Sequence, residues 1–437
     1  MILTSLIGRE SATAESRVLE VSLSPSDGSE LFTFAHASLA DVDAAVASAR
    51  QGMEMPEWRD ITPDHRGRLL WRVSTLIEEH ADELALMDAN DAGMPLAMSR
   101  GVNVPLAAQV FRYYAGFATK IEGRLSQVSI PNTMHYTTRE PIGVCALITP
   151  WNVPLAIAAW KLAPALATGN TAILKPAEQA VWSTRRLVEI CREAGIPGEV
   201  VQVLLGGPEI GQALVRHRGV DKVSFTGSTE VGCQIVADVA PTLKRVSLEL
   251  GGKAPSIVTA SADMDQAIMG NLRGALFNSG QACGAYTRTF VHRSRADEFA
   301  ERIAEAAKQM RVGHAMNEDT ELGPLITRGQ VDRVLSYIEG AGPRVRISCT
   351  AVTSSPATDW NSATSLSPRS SRTSRTTCAL RRRRSSGPSS RSCPSMTRTR
   401  RSPVRMRVIT ALPRLSGRRT SSSRTRWPNV FARARCS

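Results

Sequence analysis

The sequence predicts an α/β protein with two domains, the first of which is built around a parallel sheet. Short β-rich segments alternate with helical segments between residues 143 and 225, at the pitch of repeated strand–helix–strand units. The same pitch returns between residues 254 and 292. The chain has 437 residues and is 42% hydrophobic, which is enough apolar side chain for two or three packed domains.

The individual elements follow from the spacing of apolar residues. Segments 38–52 and 62–92 place apolar residues at helical spacing with acidic residues near their starts, so each is predicted to be a helix. Alternating strands and helices of the first sheet are predicted over residues 143–149, 156–167, 171–174, 183–194, 200–204, 210–217 and 222–225. A second α/β domain is expected to begin near Leu250, with elements over residues 254–258, 264–274 and 289–292.

Charge divides the chain at about residue 340. Residues 341–437 hold 22 Arg, 21 Ser, no Lys and a single acid, Asp359, whereas the preceding residues hold 32 Lys and Arg against 39 Asp and Glu. The net charge of +14 therefore combines an acidic body of −7 with a tail of +21. This composition predicts a disordered or misfolded tail. Nucleic-acid binding is a disfavoured alternative, because the tail lacks lysine, interleaved aromatic residues and any recognisable module.

Cysteine usage and hydropathy indicate the compartment. None of the eight cysteines forms a C-x-x-C pair, so a zinc site has little support and a reducing compartment is the default. Residues 1–9 are too polar for a signal-peptide core, and Pro150, Asn152 and Pro154 interrupt the most apolar run, residues 144–160. We therefore expect a cytoplasmic protein with no bound metal and no membrane or nucleic-acid partner.

Cys283 is the first candidate for chemistry. Gly280 and Gly284 flank it, so a substrate could approach this backbone closely, as an exposed nucleophile requires. A lone cysteine is more often a buried structural residue, so the assignment depends on the rest of the pattern.

Two further side chains could serve such a nucleophile. Glu249 lies among apolar residues and before a glycine pair, surroundings that would raise the pKa of its carboxyl toward that of a general base. Asn152 lies between Pro150 and Pro154 at the exit of a predicted strand, where its amide could donate to a developing oxyanion. Taken alone, each has a simpler explanation, as a strand-end acid and as a turn asparagine.

Taken together, five segments of the chain resemble the aldehyde dehydrogenase superfamily. They occur in the family's order and at its separations, over residues 149–152, 174–178, 225–232, 248–253 and 277–283. The resemblance runs from about residue 31 to residue 340 and implies a Rossmann-type cofactor domain followed by an α/β catalytic domain.

The resemblance also implies the domain boundaries. Residues 1–121 and 142–250 would form the NAD-binding domain, and residues 122–141 a hairpin arm used for oligomerisation. Residues 251–342 would form the catalytic domain, which a tail over residues 343–437 leaves incomplete. The family's homo-oligomer would then lack its C-terminal strand.

The chemistry implied by the resemblance is oxidation of an aldehyde to a carboxylic acid. Cys283 would attack the carbonyl, and the Asn152 amide and the Cys283 backbone N–H would hold the oxyanion of the thiohemiacetal. After hydride transfer to a nicotinamide, Glu249 would activate the water that hydrolyses the thioester. Relatives that acylate coenzyme A share the nucleophile but commonly lack the base, so Glu249 favours hydrolysis.

The implied cofactor is NAD, with NADP the less favoured alternative. Lys175 and Glu178 would grip the adenine ribose, where a carboxylate accepts hydrogen bonds from ribose hydroxyls and repels a 2′-phosphate. Gly227 and Ser228 would begin the pyrophosphate loop at a helix start. Further cofactor contacts are expected from Thr149, Pro150, Trp151, Val231, Leu250 and Gly251. Trp160 falls at the family's substrate-channel aromatic position, with a core tryptophan as the alternative.

The chain departs from the family near residue 383. A Glu-x-Phe-Gly-Pro motif is expected there, and residues 383–389 are Arg-Arg-Ser-Ser-Gly-Pro-Ser instead. The codons GAG GAG ATC TTC GGG CCC GTC encode Glu-Glu-Ile-Phe-Gly-Pro-Val, and translating them one base later gives the observed peptide. We therefore hypothesise a frameshift between about residues 340 and 350. An inactive frameshifted product is the alternative to an active enzyme.

Overall fold

The computed structural model describes residues 1–341 and three short strands that follow them. Its α-helices are α1 Leu39–Glu54, α2 Pro56–Arg59, α3 Pro63–Glu79, α4 Ala81–Asp91, α5 Leu96–Met98, α6 Val104–Phe117, α7 Pro154–Ala167, α8 Trp182–Glu193, α9 Pro208–Arg216, α10 Thr229–Val239, α11 Met264–Leu276, α12 Ala296–Lys308 and α13 Arg328–Ala341. Its strands are β1 Ile2–Leu3, β2 Leu6–Ile7, β3 Glu10–Ser11, β4 Leu19–Leu23, β5 Glu30–Ala35, β6 Arg124–Ser126, β7 His135–Thr137, β8 Val144–Ile148, β9 Thr171–Lys175, β10 Val201–Val203, β11 Lys222–Gly227, β12 Arg245–Leu250, β13 Pro255–Val258, β14 Arg288–His292, β15 Ala351–Thr353, β16 Ser367–Arg369 and β17 Met406–Ile409.

The main sheet has the strand order β12-β11-β8-β9-β10-β2-β3. Strands β12, β11, β8, β9 and β10 are parallel, and β2 joins the edge in the antiparallel sense. The predicted α/β fold with a parallel sheet is therefore confirmed. The carboxyl ends of β8, β11 and β12 meet at one edge, where the ligands of such sheets bind.

Helices cover both faces of this sheet, as the side-chain alternation of a strand requires. Along β8, Cys145 and Leu147 pack into a core formed with α3, α6 and α7. Val144 and Ala146 point the other way, into a core formed with α1, α9 and α10. The predicted strand–helix alternation between residues 143 and 225 is confirmed in β8 through β11 and in α7 through α9.

The prediction of one helix over residues 62–92 is wrong. Helix α3 ends at Glu79 and α4 begins at Ala81, because His80 leaves the helical conformation with φ −100° and ψ 22°. The imidazole Nδ1 of His80 lies 2.7 Å from a carboxylate oxygen of Glu83, in the first turn of α4. Local pairing thus accompanies the break, although the apolar spacing continues through it.

After Leu250 the strands belong to a separate sheet, that of a second α/β unit. Strands β13 and β14 are parallel, and β17 pairs with β14 in the antiparallel sense. Helices α11 and α12 pack on these strands around Val258, Ile268 and Phe299. The hairpin of β6 and β7 is exposed along both strands. Within the described residues, no helix is both long and apolar enough to cross a membrane.

Candidate active site

The candidate site lies at the carboxyl edge of the main sheet, where β8 and β12 flank β11. The register pairs Phe225 of β11 with Ile148 on one side and Leu248 on the other. The loop that carries Asn152 and the strand end that carries Glu249 therefore leave the sheet at the same level. The segment between α11 and β14 brings Cys283 to this edge from the second unit.

Cys283 lies in a turn that the Ala285 N–H closes on the Ala282 carbonyl at 3.1 Å. Its side chain is exposed and lines a cleft of about 440 Å³ together with Glu249. The chain that leaves β12 passes close by, since a β-carbon on Gly252 would lie 3.6 Å from the Cys283 carbonyl oxygen. The structure thus brings the predicted nucleophile and the predicted base to one cleft.

Glu249 does not have the apolar enclosure that its neighbours in the sequence predicted. Strand β12 is the edge of the sheet, and its residues alternate between exposed and half-buried positions, with Glu249 among the exposed ones. Its apolar neighbours Leu248 and Leu250 point to the opposite face. The expectation of a carboxyl buried among apolar residues is therefore wrong, because adjacent residues of a strand face opposite sides.

Asn152 is half-buried between the main sheet and the nucleophile segment. Its Nδ2 donates to the Gln281 carbonyl at 2.6 Å. Gln281 lies two residues before Cys283, so this bond ties the predicted oxyanion donor to the nucleophile segment. An asparagine amide carries two N–H groups, and this bond uses one of them.

The backbone before Cys283 is held in an unusual conformation. Asn278, Ser279 and Gly280 have φ values of 48°, 57° and 81°, in the left-handed region that costs a non-glycine residue about 1–3 kcal/mol. Side-chain bonds fix this turn, since Asn278 donates to the Asn152 carbonyl at 2.6 Å and Ser279 to the Gly323 carbonyl at 2.8 Å. The surrounding structure therefore determines where Cys283 is presented.

A second cleft, of about 410 Å³, lies at the same edge between β8, β11 and α10. Seven of the predicted cofactor residues line it: Thr149, Pro150, Trp151, Lys175, Glu178, Gly227 and Val231. Ser228 begins α10, where its Oγ accepts from the Val231 N–H at 3.2 Å. Leu250 and Gly251 do not line this cleft. Thr226 lines both clefts and so marks where they meet.

Known proteins resemble this chain in sequence over most of its length. The model of the aldehyde dehydrogenase family matches residues 12–351. This chain belongs to the aldehyde dehydrogenase family. It is 44% identical over 319 residues to the aldehyde dehydrogenase of Alternaria alternata, a match that covers 72% of this chain. It spans only 64% of that protein's length, less than two thirds.

Solved structures of the family agree with the fold. An aldehyde dehydrogenase of Bacillus cereus, solved with NAD⁺, superimposes with a TM-score of 0.77 at 38% identity, over 80% of this chain and 71% of that one. An NAD-dependent aldehyde dehydrogenase of Sinorhizobium meliloti gives 0.76 at 36% identity, over 78% and 68%. The fold of this chain is therefore that of the family.

The residues of the second cleft fit a dinucleotide. Thr149 is buried, and its Oγ1 has no hydrogen-bond partner among the described residues. Lys175 is also buried, and this burial lowers the pKa of its amine. The negative charge of Glu178 opposes the shift. An orphaned hydroxyl, an ammonium beside a carboxylate and a helix start are the donor and acceptor types that ribose and phosphate groups require.

Sequence reasoning missed Lys161 in the first cleft. Lys161 is 7% exposed, and its Nζ donates to Ser224 Oγ at 2.9 Å. Burial lowers the pKa of the Lys161 amine to about 8, and the negative charge of Glu249 opposes this shift. A lysine inside the otherwise apolar α7 was the available signal. The preceding residue, Trp160, is 45% exposed and lines the same cleft, so the alternative of a core tryptophan is wrong.

Proposed function

We propose that this chain oxidises an aldehyde to a carboxylic acid with NAD as the hydride acceptor. The observation that carries the proposal is that Cys283 and Glu249 line one cleft, which meets a dinucleotide-sized cleft at Thr226. The balanced reaction consumes one aldehyde, one water and one NAD⁺, and yields one carboxylic acid, one NADH and one proton.

Cys283 is the proposed nucleophile. Its thiolate adds to the aldehyde carbon, the C–S bond forms and the carbonyl electrons move to oxygen. The Asn152 amide and the Cys283 backbone N–H are the proposed donors to this oxyanion, because preorganised N–H groups stabilise charge that develops in a transition state. Asn152 is suited to this role, since its bond to Gln281 fixes the amide plane beside the nucleophile segment.

The chemistry that NAD supplies when bound is acceptance of the hydride that turns the thiohemiacetal into a thioester. Glu249 then takes a proton from water, whose oxygen attacks the thioester carbon, and the C–S bond breaks to return the Cys283 thiolate. An exposed carboxylate at the edge of an open cleft has direct access to that water. Hydrolysis is therefore proposed in preference to transfer of the acyl group to coenzyme A.

NAD is proposed in preference to NADP. Lys175 and Glu178 would hold the adenine ribose, and the Glu178 carboxylate would repel a 2′-phosphate. Ser228 and the start of α10 would hold the pyrophosphate, where unpaired backbone N–H groups favour an anion. The relatives from Bacillus cereus and Sinorhizobium meliloti are an NAD⁺ complex and an NAD-dependent protein, which supports the same choice.

We also propose an assembly and a location for this chain. The exposed apolar side chains of the β6–β7 hairpin, Leu125, Ile130, Met134 and Tyr136, support its use as an oligomerisation arm. The four cysteines of the described residues are unpaired, which supports a cytoplasmic location.

The competing hypothesis is that the chain is the inactive product of a frameshifted gene. Residues 383–389 favour it, because they match the translation, shifted by one base, of codons that encode a family motif. These residues lie outside the part of the chain that the structure describes. Resequencing the gene tests the frame directly, and an unbroken frame across codons 340–350 would refute the shift.

Activity is tested by NADH formation from aliphatic, aromatic and semialdehyde substrates. Two proteins are compared, the chain as it stands and the product of the restored frame. Turnover by the first that Cys283→Ala abolishes would reject the inactive product. Turnover by the second alone would establish the site chemistry and assign the loss to the tail. Failure of both would refute the proposed function.

A further inference from the structure

Asn278 connects the nucleophile segment to the oxyanion donor. Its Nδ2 donates to the backbone carbonyl of Asn152 at 2.6 Å, while Asn152 Nδ2 donates to the Gln281 carbonyl at 2.6 Å. The two bonds run in opposite directions between the same two segments and close a ring. Neither segment can shift without moving the other.

Asn278 is buried, and its amide group is only partly hydrogen-bonded. The residue is 1% exposed, and its Oδ1 has no hydrogen-bond partner among the described residues. A buried acceptor left without a partner costs about 1–3 kcal/mol, so an amide here carries a penalty that an apolar residue would avoid. Its one donor bond goes to the residue whose side chain is the proposed oxyanion donor.

The far side of the nucleophile segment is anchored separately. Gln281 Oε1 accepts from the Ile326 N–H at 2.9 Å, and Ser279 donates to the Gly323 carbonyl. Gly323 in turn packs on the first unit, since a β-carbon there would lie 2.5 Å from the Gly93 carbonyl oxygen. These contacts hold the segment in place, and Asn278 is the side chain that relays this position to Asn152.

We propose that Asn278 is a positioning residue that orients the Asn152 amide toward the oxyanion through the Asn152 backbone carbonyl. The inference rests on the proposed function and adds a residue to it. Asn278 is buried and lines neither cleft, so it would act through Asn152 and not by touching substrate or cofactor. Loss of its donor should therefore slow the oxyanion-forming step and leave cofactor binding unchanged.

The test variant is Asn278→Asp, which keeps the size of the side chain and its tolerance of a left-handed φ but replaces the donor with an acceptor. We expect kcat to fall about 10-fold or more, as small displacements of catalytic groups do, with the Kd for NAD unchanged. Asn278→Gly is the second variant, because glycine adopts this conformation freely and removes the donor without adding charge.

The matched control is Asn271→Asp in the same unit. Asn271 is also 1% exposed, and its Nδ2 also donates to a backbone carbonyl, that of Ala267, at 2.6 Å. Loss of this hydrogen bond should lower the Tm but should change kcat by no more than about 2-fold, since Asn271 has no contact with the site.

A double-mutant cycle separates positioning from general destabilisation. Asn152→Ala alone should lower kcat about 100-fold or more, as removal of an oxyanion donor does. In that background Asn278→Asp should add less than about 2-fold, because the group through which it acts is gone. An equal loss in both backgrounds would overturn the proposal.

Amide hydrogen exchange of the peptide that contains Asn152 gives a readout independent of turnover. Exchange should speed up in Asn278→Asp and Asn278→Gly but not in Asn271→Asp. If the parent oxidises no aldehyde and the exchange still responds, the proposed function fails while the contact stands. Unchanged exchange in both Asn278 variants would refute the positioning role itself.

Discussion

The two clefts of this protein are built in different ways. The dinucleotide cleft is formed within the first unit by buried strands, and two of its polar groups, Thr149 and Lys175, are buried. The other cleft is completed by the second unit, and its Cys283 and Glu249 are exposed. One sheet and its helices therefore form the dinucleotide cleft, whereas the Cys283 cleft also depends on contacts between the two units. Binding and chemistry should consequently respond to different substitutions.

The largest expected effect separates chemistry from binding. Cys283→Ala should lower kcat by about 1,000-fold or more, because the covalent intermediate cannot form. The Kd for NAD should stay unchanged, because Cys283 does not line the dinucleotide cleft. Quenching of Trp151, which lines that cleft, reports the Kd. Cys233→Ala, on the exposed face of α10, is the control for loss of a thiol. A weaker NAD affinity in Cys283→Ala alone would contradict the separation of the two clefts.

The second effect concerns the stability of the unit that holds the dinucleotide cleft. Burial raises the pKa of Asp88 to about 6 and that of Asp91 to about 7, and Asp91 accepts from the Trp182 N–H at the start of α8. The folded state therefore binds more protons than the unfolded state between about pH 4 and pH 7. The contribution of these groups to stability is complete below about pH 4 and is lost as pH rises through 7.

The measurement is the free energy of unfolding at a series of pH values. As the pH rises from 4 to 8, the free energy of unfolding of Asp91→Asn should increase relative to that of the parent by on the order of 2–4 kcal/mol. The reason is that the substitution removes one of the two buried charges. Asp82→Asn, exposed on the same helix, should leave the pH slope unchanged. Parallel slopes for the parent and Asp91→Asn would show that Asp91 does not bind a proton on folding.

The third effect is on the choice of dinucleotide. Glu178→Gln should raise the Kd for NAD about 10-fold through loss of a charged hydrogen bond to ribose, and should lower the Kd for NADP by removing repulsion of the 2′-phosphate. Glu209→Gln, at an acid near Lys175 that does not line the cleft, is the matched control. An unchanged ratio of NADP to NAD affinity in Glu178→Gln would show that the preference has another source.

The sequence predicted what depends on short segments and missed what depends on packing. Strand–helix alternation predicted the parallel sheet, and the family motifs predicted Asn152, Glu249 and Cys283, of which Glu249 and Cys283 line one cleft. The exposure of Glu249 could not be predicted from the sequence, because it depends on β12 being an edge strand. The contacts of Lys161 and Asn278 could not be predicted either, since their partners Ser224 and Asn152 are distant in sequence. The break at His80 was likewise not predicted, because the apolar spacing continues through it.

The smallest expected effect tests how open the first cleft is. Trp160 is 45% exposed at its wall, on α7 beside Lys161, and we predict that it contacts the part of an aldehyde that extends away from the carbonyl. Trp160→Phe should raise KM for a bulky aromatic aldehyde about 3-fold through lost apolar contact, and should leave KM for a short aliphatic aldehyde unchanged. A steady-state comparison of the two substrates measures this, with Trp71→Phe, exposed on α3, as the control. Equal changes in KM for both substrates would mean that Trp160 affects the carbonyl end of the aldehyde. The cleft would then be more enclosed around Cys283 than the exposure of its residues indicates.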